Sequence, residues 1–126
     1  MFEDEHVFAY LHEDWSVLGH AVVVWKSHVQ NLSDLNPTEL IHCLSIFQKI
    51  ERSLLSAAEA ERAVILKLGV MVPHLHLHIY PFSASAHRTQ VMAAIDGQKQ
   101  REFNSLERHD FRQRLRSFFQ ADFTML

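Results

Sequence analysis

Between Pro73 and Pro81 the chain reads His74-Leu75-His76-Leu77-His78-Ile79-Tyr80, a strict alternation of histidine and aliphatic residues running up to Tyr80. A period of two fits a half-buried strand and does not fit a helix. On such a strand Leu75, Leu77 and Ile79 enter a core, and His74, His76 and His78 all point to the opposite face. Pro73 lacks an N–H and marks the start or edge of the strand, and Pro81 closes it. The outcome is a rigid row of three titratable, nucleophilic, metal-competent rings.

The rest of the chain supplies partners for that strand. His6–Leu11 carries the β-formers Val7, Phe8 and Tyr10, and Ala21–Trp25 is a β-branched run. The polar turn His12-Glu13-Asp14 and an irregular stretch ending at Gly19 separate the two, which predicts an antiparallel pair. After a loop over Asn31–Asn36, the run Asn36-Pro37-Thr38-Glu39 reads as a helix start, with a cap, a proline at the first position and a capping-box acid. The helix is predicted from Pro37 to Ala58, with Leu40, Cys43, Leu44, Phe47, Ile50 and Leu54 as its apolar stripe. Cys43 on that stripe reads as a small core residue. Arg62–Leu68 returns to strand character and Gly69 breaks it. A short helix is predicted around Gln90–Ile95. A last one is predicted over Ser105–Phe119, with Leu106, Phe111, Leu115 and Phe118 inward and the arginines at 108, 112, 114 and 116 on a solvated face. Strand pairs interrupted by a helix give an α+β class.

Composition narrows the partners. The chain has 126 residues, a length that fits one domain over 1–126, with 82–126 as a C-terminal extension carrying a helix. A formal net charge of −3 argues against a nucleic-acid polymer as partner. Cys43 is the only cysteine, so no internal disulfide and no cysteine zinc set can form. The apolar runs are too short to span a membrane and the start of the chain is acidic, so the expected location is cytoplasmic.

Three chemistries suit the histidine row. One ring can act as a nucleophile at phosphorus or acyl carbon, with its neighbours setting its tautomer, and His76 in the middle is best placed. Two or three rings can ligate zinc, helped by His20, His28 or an acid. The rings can also be merely structural. His20 and His28, at the two ends of the valine strand, reach His76 if the two strands are neighbours.

The seven residues from His74 to Tyr80 resemble the signature of the histidine triad (HIT) superfamily, His-φ-His-φ-His-φ-φ with φ apolar. The surroundings agree from about residue 6 to 82: Phe8-Ala9-Tyr10-Leu11, Gly19-His20-Ala21-Val22-Val23-Val24, Lys26-Ser27-His28 and Gly69-Val70-Met71-Val72-Pro73. The resemblance implies a HIT-like antiparallel sheet with one long helix and a C-terminal helix, usually as a homodimer. It also implies a nucleotide hydrolase or transferase that cleaves a P–N or P–O–P bond at the α-phosphate through a covalent nucleotidyl-histidine, with no cofactor and no metal. By the match, His76 is the nucleophile, His74 and His78 flank it, and His20 is the upstream histidine. His28 and His12 fall at substrate-binding positions. His12 occupies the place of an acid that holds ribose hydroxyls, a role open to Asp14 if the loop shifts. Val70 and Met71 replace polar residues of the phosphoramidase members, which brings the chain nearer a bacterial HIT-like branch of poorly defined function. The alternatives are a non-catalytic HIT-like scaffold for a nucleotide or protein partner and a metal-dependent hydrolase.

Overall fold

The valine strand and the histidine strand are hydrogen-bonded neighbours at the centre of a five-stranded antiparallel sheet. The structure, a computed structural model, describes residues 1–99 and 101–124, so Gln100 and the last two residues of the expected 1–126 domain lie outside the described residues. The strands are β1 (Phe2–Glu3), β2 (Val7–Leu11), β3 (Ala21–Trp25), β4 (Arg62–Leu66) and β5 (His76–Phe82). Their order in the sheet is β1-β2-β3-β5-β4. The helices are α1 (Pro37–Ala58), α2 (Arg88–Ile95) and α3 (Ser105–Thr124), with a single 3-10 turn at Leu32–Asp34 inside the predicted loop.

The alternation in β5 sorts its residues as the pattern demands. Leu75, Leu77 and Ile79 are buried, while His74, His76 and His78 are half-buried. The register Val24↔His76 and Val22↔His78, continued by Phe8↔Val24 and Tyr10↔Val22, puts these side chains on one face of the sheet. The other face, with Val7, Ala9, Val23 and Trp25, packs against α1 and α3 in the main core. Two boundaries differ from expectation. His74 precedes β5 rather than lying in it, held by Leu75 N–H donating to Val29 O at 2.7 Å and Trp25 N–H to Leu75 O at 3.2 Å. Pro81 lies inside β5, opposite Ala63 of β4. The β3 ladder stops at Ala21↔Ile79, so the missing N–H of Pro81 costs no bond.

Helix α1 begins as predicted. Asn36 Oδ1 accepts from Glu39 N–H at 2.8 Å, and Glu39 Oε1 accepts from Asn36 N–H at 2.9 Å. Its buried stripe is Cys43, Ile46, Phe47, Ile50, Ser53, Leu54 and Ala57. Leu44 is exposed instead, because Ile46 rather than Leu44 turns toward the sheet. On α3, Phe111 and Leu115 are buried, but Leu106 and Phe118 face water. Counting four residues on from Leu115 brings Phe119 inward in place of Phe118. The arginine face is only partly solvated: Arg108 Nη1 donates to Glu13 O at 3.1 Å and Arg114 Nε to Ala57 O at 3.1 Å. A smaller apolar cluster of Val17, Tyr80, Phe82 and Ala94 docks α2 at one end of the histidine face. Strand β4 ends at Leu66 rather than Leu68, leaving 67–75 outside the ladder up to β5. No helix among the described residues is long and apolar enough to cross a membrane.

Candidate functional site

Six histidines form a continuous line across the open face. His28 and His74 have ring centroids 5.7 Å apart, His76 and His78 5.2 Å, His20 and His78 5.1 Å, and His12 and His20 4.6 Å. The two triad members His74 and His76 are joined through a main-chain carbonyl. All four histidines named as catalytic are thus brought together, with His12 and His28 at the two ends. Asp14 is exposed beside His12, whose Nδ1 accepts from Asp14 N–H at 3.1 Å.

The hydrogen bonds fix which ring atoms are available. His76 Nδ1–H donates to the backbone carbonyl of His74 at 2.7 Å. That bond places the proton on Nδ1 and leaves Nε2 with a lone pair in the neutral ring. His74 Nε2–H donates to Trp25 O at 2.5 Å. His20 Nε2 and His78 Nδ1 share one proton at 2.9 Å. His20 Nδ1 is buried, and a backbone contact with Asp14 partly opposes the lowering of its pKa.

Burial keeps the inner rings neutral. His20 lies in a stack between His12, with 15° between the ring planes, and Tyr80, whose centroid is 4.1 Å away at 16°. Desolvation first, and then the charges that His12 and His78 would carry, push the His20 pKa down to about 3. His78 is lowered to about 4, again by burial first and then by His76 and His12. Burial pushes the Tyr80 phenol and the Cys43 thiol up.

The backbone places His20 through Gly19. At φ +83° this residue sits in the left-handed region, and a Cβ there would lie 2.6 Å from the ring of Phe111. Only glycine lets the chain pass close over α3 and enter β3 with His20 turned to the open face.

Among the described residues, two cavities are lined by members of the triad. One, of about 630 Å³, is walled by Phe8, Tyr10, Val24 and Val72 beside His74 and His76. Phe8 and Tyr10 stack at 5.4 Å, and Lys26 Nζ lies 2.5 Å from Glu3 Oε2 at its rim. The other, of about 510 Å³, is bounded by His12, Ser16, His20, His78 and Tyr80, with Lys99 also in its lining. Both volumes fall in the range of small-molecule sites. Tyr80, Phe8, Ser16 and Lys99 were not among the expected site residues. Tyr80 continues the period-two series of the triad and was legible in principle; Lys99, contributed by the segment after α2, carried no local signal. Among the described residues, no group of three or more His, Cys, Asp or Glu is arranged to hold a metal ion.

A family model described as the HIT domain matches residues 1–84. The protein named Protein hit from Bacillus subtilis (strain 168) is 30% identical over 86 residues, covering 64% of this chain; the chain spans about 59% of the length of that relative. A solved structure titled hypothetical histidine triad nucleotide-binding protein, from Sulfolobus tokodaii strain7, superposes with TM-score 0.71 at 20% identity, covering 95% of this chain and 82% of that one. A histidine triad protein from Bradyrhizobium japonicum gives TM-score 0.77 at 17% identity, covering 93% and 87%. At such identities the two solved structures speak for the fold.

Proposed function

This chain belongs to the HIT family, on the side of a bacterial HIT-like branch, and from that premise we propose that it is a nucleotide hydrolase working through a covalent nucleotidyl-histidine. The observation that carries the reading is the bond from His76 Nδ1–H to His74 O, which leaves the Nε2 lone pair of His76 free beside a cavity that accommodates a small molecule. His76 Nε2 attacks the α-phosphorus of a nucleotidyl P–N or P–O–P substrate. The N–P bond forms, and the bond to the leaving group breaks with its electron pair. Water then attacks the same phosphorus, the N–P bond breaks, and the pair returns to Nε2 as a nucleoside monophosphate leaves. The proton from that water passes to solvent.

His74 and His78 hold the row in place on either side, and His20 fixes His78 from behind. His12, Asp14 and His28 are the rim groups offered to the substrate. The whole chain acts as one HIT-like domain, with the part after Pro81 adding to the wall of the site. A second copy covers apolar surface left by α1 and the edge strand β4, where Ile41 is 67% and Ile65 50% exposed, making a cytoplasmic homodimer. Sedimentation should give twice the chain mass. The double displacement is tested by stereochemistry: a substrate chiral at the α-phosphorus, hydrolysed in isotopically labelled water, should show retention, and inversion would sink the covalent step.

One observation favours a second reading. Met71 is 93% exposed, and neither it nor Val70 offers a polar side chain to a phosphate or a leaving group. On that reading the chain is a HIT-like scaffold that binds a nucleotide or protein partner without turnover. A metal-dependent hydrolase is a third, and it predicts loss of activity in excess chelator.

A further inference from the structure

The four arginines of α3 fall into two kinds. Arg108 donates to Phe103 O and Glu13 O, and Arg114 donates to Ala57 O. Arg112 and Arg116 are exposed and, among the described residues, donate to no carbonyl and pair with no carboxylate. Arg112 Cζ lies 5.8 Å from the centre of the Trp15 ring, a contact that uses its charge and none of its N–H groups. Two like charges four residues apart on a helix repel each other. The positions three and four residues away from each arginine carry no Asp or Glu to offset that.

Both arginines line a further cavity, of about 310 Å³, between the end of β2 and α3. Leu11 in its wall follows Val7 and Ala9 on the helix side of β2, so this cavity lies across the sheet from the histidine row. Leu115 and Phe119 complete an apolar wall. Leu115 is 4% exposed, and Phe119 is steadied by an edge contact with Phe2 at 5.9 Å. Along α3 a basic pair, Arg112 and Arg116, thus runs beside an apolar pair, Leu115 and Phe119, each pair one turn apart. No carboxylate, hydroxyl or side-chain amide lines this cavity. A sugar or a base would bury its donors there without acceptors. The arginines and most of this wall lie outside residues 1–84, the part that the HIT domain model matches.

We propose that this cavity binds a small anion with an apolar body, an acyl carboxylate or an alkyl phosphate. Its head sits on Arg112 and Arg116 and its tail on Leu11, Leu115 and Phe119. Either head offers two oxygens to the paired N–H groups of a planar guanidinium, so the two share one recognition chemistry. The volume is at the low end for small-molecule sites, which suits a short chain or a single ring. The site is separate from the histidine face and does not depend on what that face does.

The test is isothermal titration calorimetry on the full chain with octyl phosphate, octanoate, octanol and inorganic phosphate. One of the two amphiphiles should bind at least tenfold more tightly than octanol and than inorganic phosphate, and the tighter head names the source. Arg112→Gln and Arg116→Gln should each weaken that binding about tenfold, the loss of a hydrogen bond to a charged group. Both side chains are exposed, so thermal unfolding of the variants should match wild type. Replacing both arginines by lysine keeps the charge and loses the fork, and should recover part of the affinity. Excess AMP should leave the binding unchanged. The proposal is overturned if neither amphiphile binds, if octanol or inorganic phosphate binds as tightly, if both glutamine variants bind as wild type does, or if AMP displaces the amphiphile.

Discussion

His20 Nε2 lies 2.9 Å from His78 Nδ1, and these two rings, 58 residues apart in sequence, tie the entry of β3 to β5 through their side chains on the open face. Each ring is held neutral by burial, His20 with a pKa of about 3 and His78 of about 4.

That pair sets an acid limit on stability. Both pKa values lie below the unfolded histidine value of about 6.5, so the unfolded chain binds more protons as pH falls. The stability that the neutral rings allow is fully present above about pH 6.5 and is lost progressively as pH falls toward about 4 and about 3. Each ring contributes a slope of up to about 1.4 kcal/mol per pH unit in that window. Urea unfolding followed from pH 7 to pH 4 should show a shallower loss in His78→Asn than in wild type. Parallel curves would mean that these rings are not the groups responsible.

Gly19 is the residue whose replacement should cost most for its size. Gly19→Ala puts a methyl into the ring of Phe111 and forces a positive φ on alanine. The expected loss is about 1–3 kcal/mol from overpacking, with a further ~1 kcal/mol from the backbone. Phe111→Leu, which removes the clashing ring edge, should recover part of the first contribution in a double-mutant cycle. Strict additivity of the two substitutions would contradict the close approach.

The start of α1 allows a control remote from the histidines. Asn36→Ala removes the acceptor for Glu39 N–H and should destabilise by about 1 kcal/mol. Turnover measured well below the melting temperature should be unchanged. A loss of turnover at full folding would show that α1 does more than support the sheet.

How much of this was legible in the chain depends on where the information is local. The alternation at His74–Ile79 and the capping box at Asn36 act through neighbours in sequence; the capping box and the facing of the alternating residues appeared as the pattern put them, with the strand itself starting at His76. The side on which α3 packs did not, because Leu106 and Phe118 fit a helical stripe as well as Phe119 does, and only the tertiary path decides among them. Pro81 read as a strand end because its missing N–H is a liability only when a neighbour needs it, and β3 has already stopped there. The stack of His12, His20 and Tyr80, and the arrival of Lys99 at the cavity, depend on chain crossings that no window of sequence contains.

The central claim is that His76 Nε2 forms a bond to phosphorus. The most direct measurement is to mix the protein with radiolabelled diadenosine polyphosphate, quench in base, where phosphohistidine survives, and locate the label by peptide mapping beside His76→Ala. Label on the peptide containing His76, absent from the variant, is the expected result. Nucleotide bound by wild type with neither label nor turnover would contradict the account and leave a binding scaffold in its place.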